Sequence, residues 1–210
     1  YPEAVNGNPA NAKNVVRWFL HQPGFHTGDI FYGRGELHVK YNSAIYDFYF
    51  PGCVLAEDPL KIIHYPTDLY KTPPEMTKRE GTAYCIRKGK GKELVHEVSK
   101  SILIDGKSHT EVAEIFAKVE RFISYDPLTA YSRFAVLSGC VSIVIPDPDI
   151  SVDQWYPNEK DRWGIAYGLS DSMLAEAKET SHLVGRQIEQ EEEKCKEDIT
   201  RFLRNVDRYF

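Results

Sequence analysis

Apolar positions recur along this chain at two periods, and the places where the period changes mark out its elements. Phe122 to Tyr125 and Val141 to Ile145 are short β-prone runs set between turn residues, which predicts two strands buried in a parallel sheet. Between them Tyr131, Phe134, Ala135 and Leu137 fall at helical spacing until Gly139 supplies a C-terminal stop. Asp126 is expected as the N-cap of this helix and Pro127 as its first residue. Phe122 to Pro146 therefore reads as a strand–helix–strand unit. Its helix head would carry unpaired N–H groups and partial positive charge at the carboxyl edge of the sheet, where such folds bind phosphates.

The same reasoning extends upstream. Thr82 to Ile86 and Ser101 to Asp105 read as strands, followed by a helix over Ser108 to Val119 with a capping box at Ser108 and Glu111 and a core face of Val112, Ile115, Phe116 and Val119. Near the start, Asn6-Gly7-Asn8 forms a turn, and Ala12, Val15, Val16, Phe19 and Leu20 share one helical face, which predicts a helix over Pro9 to His21. Ile30 to Tyr32, Leu37 to Tyr41 and Ile45 to Phe50 are strand-like pieces separated by Gly33, Gly35 and Asn42-Ser43, and Leu60 to Tyr65 is a further one. Residues 66–80, rich in proline and charge, read as a linker. Ser170 caps a helix through Lys178, and Ser181 to Tyr209 is a long helix with a stripe of Val184, Ile188, Cys195, Ile199, Phe202 and Val206. That stripe is expected to pack along a domain surface, with self-association through a partner helix as the alternative. The fold class is α/β with a right-handed parallel sheet.

Composition narrows the picture. A chain of 210 residues buries a sizeable core, and a net charge of −5 argues against a general nucleic-acid binder while leaving room for a local basic cluster. Cys53, Cys85, Cys140 and Cys195 are far apart and form no CxxC pair, as expected of reduced thiols in a cytoplasmic protein working in solution or at the membrane surface. No apolar run is long enough to span a bilayer, and there is no signal-peptide pattern. The chain opens on Tyr1 without a methionine, as a piece of a longer protein would.

Candidate chemistry concentrates in Arg87-Lys88-Gly89-Lys90-Gly91-Lys92, four cations and two glycines directly after a strand. Glycines let backbone approach an anion, and Arg and Lys donate charge-assisted hydrogen bonds to phosphate oxygens; a solvated cationic turn is the plainer alternative. His21, His26 and His38 lack metal-ligand spacing and are expected to be surface or packing residues. Asp147 and Asp149 flank Pro148 as a turn would, with a metal-binding dyad as the alternative.

With these pieces assembled, the chain resembles the nucleotide-sugar glycosyltransferases of GT-B architecture that build polysaccharides and surface glycans. Ser124-Tyr125-Asp126 meets their motif turn, Ala135 to Gly139 the end of the motif helix, Val141 to Val144 the strand after it, and Arg87 to Lys90 the loop that holds the donor diphosphate. The second acidic position of that motif falls on Phe134. The resemblance implies that residues 1–59 are the closing part of an N-terminal, acceptor-side domain, 60–80 a linker, and 81–210 a Rossmann-like donor-binding domain. It implies a nucleoside-diphosphate sugar as donor, a glycan or lipid-linked hydroxyl as acceptor, no separate cofactor and no metal. Arg87, Lys88, Lys90, Thr129 and Ala130 would hold the diphosphate, Tyr125 and Asp126 the sugar or ribose, Asp105 the nucleoside, and Glu3 would serve as general base. A nucleotide-sugar epimerase and a noncatalytic module for a phosphorylated ligand share the same cradle.

Overall fold

The computed structural model, which describes residues 1–41, 45–73 and 78–210, replaces the first expected helix with a strand. β1 (Val15–Phe19) buries Val15, Arg17 and Phe19 and half-buries the two residues between them. This alternation competes with the helical spacing, and β-branched and aromatic residues favour it. Upstream, the Asn8 side chain accepts from the Ala12 N–H at 2.9 Å and donates to the Ala12 carbonyl at 2.8 Å. Asn11 inside that loop sits at φ 49, in the left-handed region, so no helix can run through it.

β1 pairs in parallel with β2 (Glu36–Lys40), which pairs in parallel with β3 (Val54–Leu55). The expected strands at Ile30 to Tyr32, Ile45 to Phe50 and Leu60 to Tyr65 are irregular instead, and the Asn42-Ser43 separator lies outside the described residues. Phe48 and Phe50 are used as packing rings: Phe48 lies 4.5 Å from Phe19 and Phe50 5.6 Å from His38 between centroids. Both faces of β2 are covered. Leu37 and Val39 pack with Leu60 and with Ile199, Phe202, Val206 and Tyr209 of the C-terminal helix. Its other face holds a buried ionic network. Arg17 Nε donates to Glu36 Oε2 at 2.7 Å and Nη2 to Oε1 at 2.9 Å, a bidentate pair, while the remaining guanidinium contacts go to the Val5 and Gly7 carbonyls. His38 Nε2 meets Glu36 Oε2 at 3.1 Å. These elements belong to a unit of residues 1–64 with 189–210.

Residues 65–188 form a second unit around five parallel strands: β4 (Thr82–Cys85), β5 (Ser101–Leu103), β6 (Arg121–Ser124), β7 (Val141–Val144) and β8 (Ile165–Tyr167). They lie in the order β5-β4-β6-β7-β8, so the second strand of the sheet is outermost and the first lies inside it. This is a doubly wound arrangement. α1 (His109–Phe116) starts at the expected capping box, with Ser108 accepting from the Glu111 N–H and Glu111 from the Ser108 N–H. It buries Val112 and Phe116 on the face that carries Ala83, Cys85 and Phe122. α2 (Tyr131–Leu137) lies on the same face, through Phe134 and Ala135.

α2 begins later than expected. Asp126 Oδ1 accepts from the Leu128 N–H at 3.0 Å, folding Pro127 into an Asx turn, and the helix is capped at Ala130 without a side-chain bond. Asp126 is thus no helix cap and Pro127 no first helical residue. Gly139 does end the element, at φ 79 with its N–H on the Val136 carbonyl. After the short α3 (Val152–Trp155), β8 is a strand of three buried residues, too short for periodicity to reveal. α4 (Asp171–Thr180), capped by Ser170, covers the other face, where Ala177 packs with Tyr84, Ile123, Ile143 and Ala166. α5 (Val184–Tyr209) buries Val184 and Ile188 in the second unit's core, while its distal residues serve the first. Among the described residues no helix is long and apolar enough to cross a membrane.

The Arg17 network generates a stability prediction. Arg17→Met strands a buried carboxylate and is expected to cost about 3–5 kcal/mol of unfolding free energy in a urea titration; a loss below about 1 kcal/mol would show that Glu36 finds another partner. Burial pushes the Glu36 carboxyl up, but hydrogen bonds from Arg17, Gly33 and His38 outweigh it and hold the group below its ordinary value. Burial lowers the His38 imidazole, outweighing the pull of Glu36. Both groups are depressed in the folded chain, so their contribution is complete above the histidine range and is lost as the pH falls. The unfolding midpoint is expected to drop between about pH 7 and about pH 3 and to drop less in the Arg17→Met variant.

Candidate functional site

Because the five strands run in parallel, residues that follow their carboxyl ends share one edge of the sheet. Arg87, Lys88 and Lys90 follow β4, Asp105 follows β5, and Tyr125, Asp126, Thr129 and Ala130 follow β6. From β4 the chain leaves for β5 on the outer side, while β6 lies on β4's inner side. The ends of β4 and β6 therefore flank the topological switch point, where open α/β sheets place their ligands.

The loop after β4 is pinned there by backbone contacts. Arg87 to Gly89 form a 3-10 turn, and the N–H groups of Ile86 and Arg87 both donate to Asp105 Oδ2, at 3.1 and 3.0 Å. Arg87 takes φ 41, a left-handed conformation that a residue with a side chain adopts only where its surroundings impose it. Its guanidinium lies 4.8 Å from the Tyr131 ring centroid and its Nη1 donates to Thr129 Oγ1 at 3.4 Å. Gly89 is buried against β6, and a β-carbon there would stand 2.1 Å from the Tyr125 carbonyl oxygen. The glycine expected to let backbone approach an anion lets backbone approach backbone.

Lys88, Gly89 and Lys90 border a cavity of about 510 Å³ whose opposite wall is Ile145, Pro146, Asp147 and Pro148. Lys92 spans it, donating to the Ile145 carbonyl at 2.7 Å and pairing with Asp147 at 2.8 Å. That pairing uses the Asp147 carboxylate, and Asp149, at φ 65, continues the turn. Lys88 and Lys90 are exposed on the cavity rim. Asp105 Oδ1 is buried with no hydrogen-bond partner, an acceptor left open beside Arg87. A larger cavity of about 620 Å³ opens at the amino ends of β6 and β7, lined by Arg121 and Gly139 to Ile143. It lies away from the cationic loop and the switch point.

Two of the expected ligand residues face inward. The Tyr125 ring is fully buried, and its hydroxyl accepts from the Val95 N–H and meets His96 Nδ1, both at 2.8 Å. Tyr125 therefore holds the loop rather than a sugar. Asp126 is 3% exposed and spends its carboxylate on Leu128. Which way a residue at a strand end points depends on partners about thirty positions away, a signal no local pattern carries. Burial lowers the His96 imidazole, so it sits against Tyr125 as the neutral ring.

This edge is rich in cations, with Arg87, Lys88 and Lys90 exposed on it. Cys85, at the end of β4, faces Ser124 Oγ at 3.3 Å, and burial pushes its thiol up to about 11, too high for a thiolate nucleophile. All four cysteines are free. Glu3, expected as a general base, stands in the first unit, where it accepts from the Leu20 N–H and meets His21 Nδ1, at 3.0 Å each. Burial alone would raise its carboxyl, but those bonds outweigh burial and leave it lowered, which weakens it as a base.

Gly89→Ala is expected to destabilise the chain by about 1–3 kcal/mol in a urea titration, because the clash is with backbone and cannot be relieved by a rotamer change. Amide exchange should speed up at Val95, whose N–H the Tyr125 hydroxyl holds; an alanine variant with native stability and exchange would show that the close approach has slack. Compared with family models, with curated proteins and with solved structures, the chain matches none.

Proposed function

We propose that the chain binds a nucleoside diphosphate at the carboxyl edge of the second unit and acts as a nucleotide-sugar glycosyltransferase of GT-B architecture, the second unit, residues 65–188, being its donor-binding domain. The observation that carries this reading is the convergence of Arg87, Lys88, Lys90 and Thr129 on the switch point of the sheet, with Asp105 holding the loop there. As the glycosidic bond of the donor breaks, negative charge gathers on the leaving diphosphate. Arg87, Lys88 and Lys90 supply positive charge there, with the Thr129 hydroxyl and Ala130 beside them. Asp105 is assigned to the nucleoside, the role acidic residues at the end of the second strand play in doubly wound sheets. The acceptor is a glycan or lipid-linked hydroxyl.

A second reading is favoured by the inward turn of Tyr125 and Asp126, the two residues expected to meet the sugar or ribose. On that reading the unit binds a phosphorylated ligand without turning it over. Incubation with nucleotide sugars and product analysis separates the two.

The binding test comes first. A nucleoside diphosphate at one hundred times its dissociation constant is expected to add about 2.7 kcal/mol of stability in a thermal-shift series over UDP, GDP, CDP and TDP. The paired variant Arg87→Ala with Lys88→Ala should lose at least about tenfold more affinity for the diphosphate than for the matching nucleoside, since each charge-assisted bond is worth about 1.5–3 kcal/mol. Equal losses, or no shift with any nucleotide, would remove the diphosphate from this site.

A further inference from the structure

Three side chains of the first unit bring their ligand atoms together in a way that hydrogen bonding does not satisfy. Glu3 Oε1 lies 3.0 Å from His21 Nδ1, and His26 Nε2 lies 3.1 Å from the same Nδ1. One ring nitrogen carries either one proton or one lone pair. If it carries the proton, that single hydrogen faces two acceptors; if it carries the lone pair, it opposes a carboxylate oxygen at contact distance. The three atoms lie within 4.8 Å of one another, and one positive centre between them would engage all three lone pairs.

We propose that Glu3, His21 and His26 form a site for a divalent transition-metal ion of the zinc class, with a fourth coordination position open to solvent. Two imidazoles and one carboxylate are the donor set that such ions prefer, whereas calcium and magnesium take oxygen ligands. Ligand atoms at bond lengths of about 2.0–2.1 Å in a tetrahedron stand about 3.3 Å apart, close to the two measured separations.

The ligands are also held in place by their surroundings. Glu3 is 4% exposed, and its second oxygen accepts from the Leu20 N–H, which fixes the plane of the carboxylate. The Glu3 backbone carbonyl accepts from the Tyr32 hydroxyl at 2.9 Å. The Phe25 ring stacks on His21 at 4.9 Å and 7°, setting the orientation of that imidazole. Only the histidine side of the site is exposed, which gives the ion an entry path and the open position a route to water. The inference goes beyond the nucleotide reading and is independent of it: its residues lie in the other unit, and binding of an ion requires no activity at the carboxyl edge.

The test is metal binding by the whole chain after chelator treatment. Titration with zinc chloride should saturate at one ion per chain, and cobalt(II) should give the visible absorption of a tetrahedral nitrogen–oxygen site. His26→Ala removes an exposed ligand, so the metal-free chain should unfold as the wild type does. Its zinc affinity should fall by at least the about 10- to 100-fold that loss of a mere supporting group costs. His64→Ala, which changes an exposed histidine outside the cluster, should leave affinity unchanged. Equal zinc affinity in the wild type and His26→Ala, or an equal loss in His64→Ala, would overturn the site. Glu3→Gln is the secondary variant, informative because its metal-free stability can be measured beside its affinity.

Discussion

Gly89 runs so close to the Tyr125 carbonyl that no side chain fits between them, and the carboxyl edge of the second unit is arranged around that contact. It binds the exit of β4 to the exit of β6, the two strands that flank the switch point. With Gly89 fixed on one side and the Ile86 and Arg87 amides fixed on Asp105 on the other, the chain between them has little freedom. Arg87 accepts a left-handed backbone as a result. The same turn sets Arg87 against Thr129 and Tyr131 and leaves Lys88 and Lys90 on the rim of the neighbouring cavity. One backbone approach thus separates Arg87 from Lys88 and Lys90, while Lys92 is held by Ile145 and Asp147.

The two units use arginine in opposite ways, and the contrast identifies which is structural. Arg17 is fully buried, and its guanidinium is engaged by two oxygens of Glu36, by two backbone carbonyls and by the Tyr32 ring 4.3 Å away. A saturated buried pair has nothing left to offer a ligand, and its removal is felt as lost stability. Arg87 is exposed, rests on an aromatic face and makes one long hydrogen bond to Thr129. Its guanidinium is therefore less fully engaged than that of Arg17.

Much of the second unit was legible in the sequence because local chemistry and tertiary packing agree there. Ser108 with Glu111, Ser170 and Gly139 mark helix ends that form where they stand, and the runs beginning at Thr82, Phe122 and Val141 are strands with both faces covered. The failures share a physical cause. Val15 to Phe19 satisfies a helical and an alternating pattern equally well over five residues, and only the partner β2 decides between them. Asp126 and Pro127 are good helix-starting residues, but the Asp126 carboxylate reaches the Leu128 amide first, and the chain turns before it coils. At the site, residue types were legible and directions were not. Tyr125 is drawn inward by Val95 and His96, which belong to a loop whose path no periodicity describes.

The histidines of the first unit show the same limit from the other side. His21 and His26 are five positions apart, a spacing that reads as chance, and their third partner, Glu3, lies nearly twenty residues earlier. What brings them together is the strand that replaced the expected helix: β1 runs from Val15 to Phe19, and the Leu20 amide just beyond it captures the Glu3 carboxylate. Pro2 bridges to Trp18 and the Tyr1 carbonyl accepts from the Trp18 amide, so Glu3 lies alongside the end of β1. In a helix over Pro9 to His21, the Leu20 amide would have been spent on a carbonyl four residues back. The strand leaves that amide to Glu3 and so places the carboxylate beside the two imidazoles. Each hydrogen bond that steadies this carboxylate also lowers its affinity for a proton.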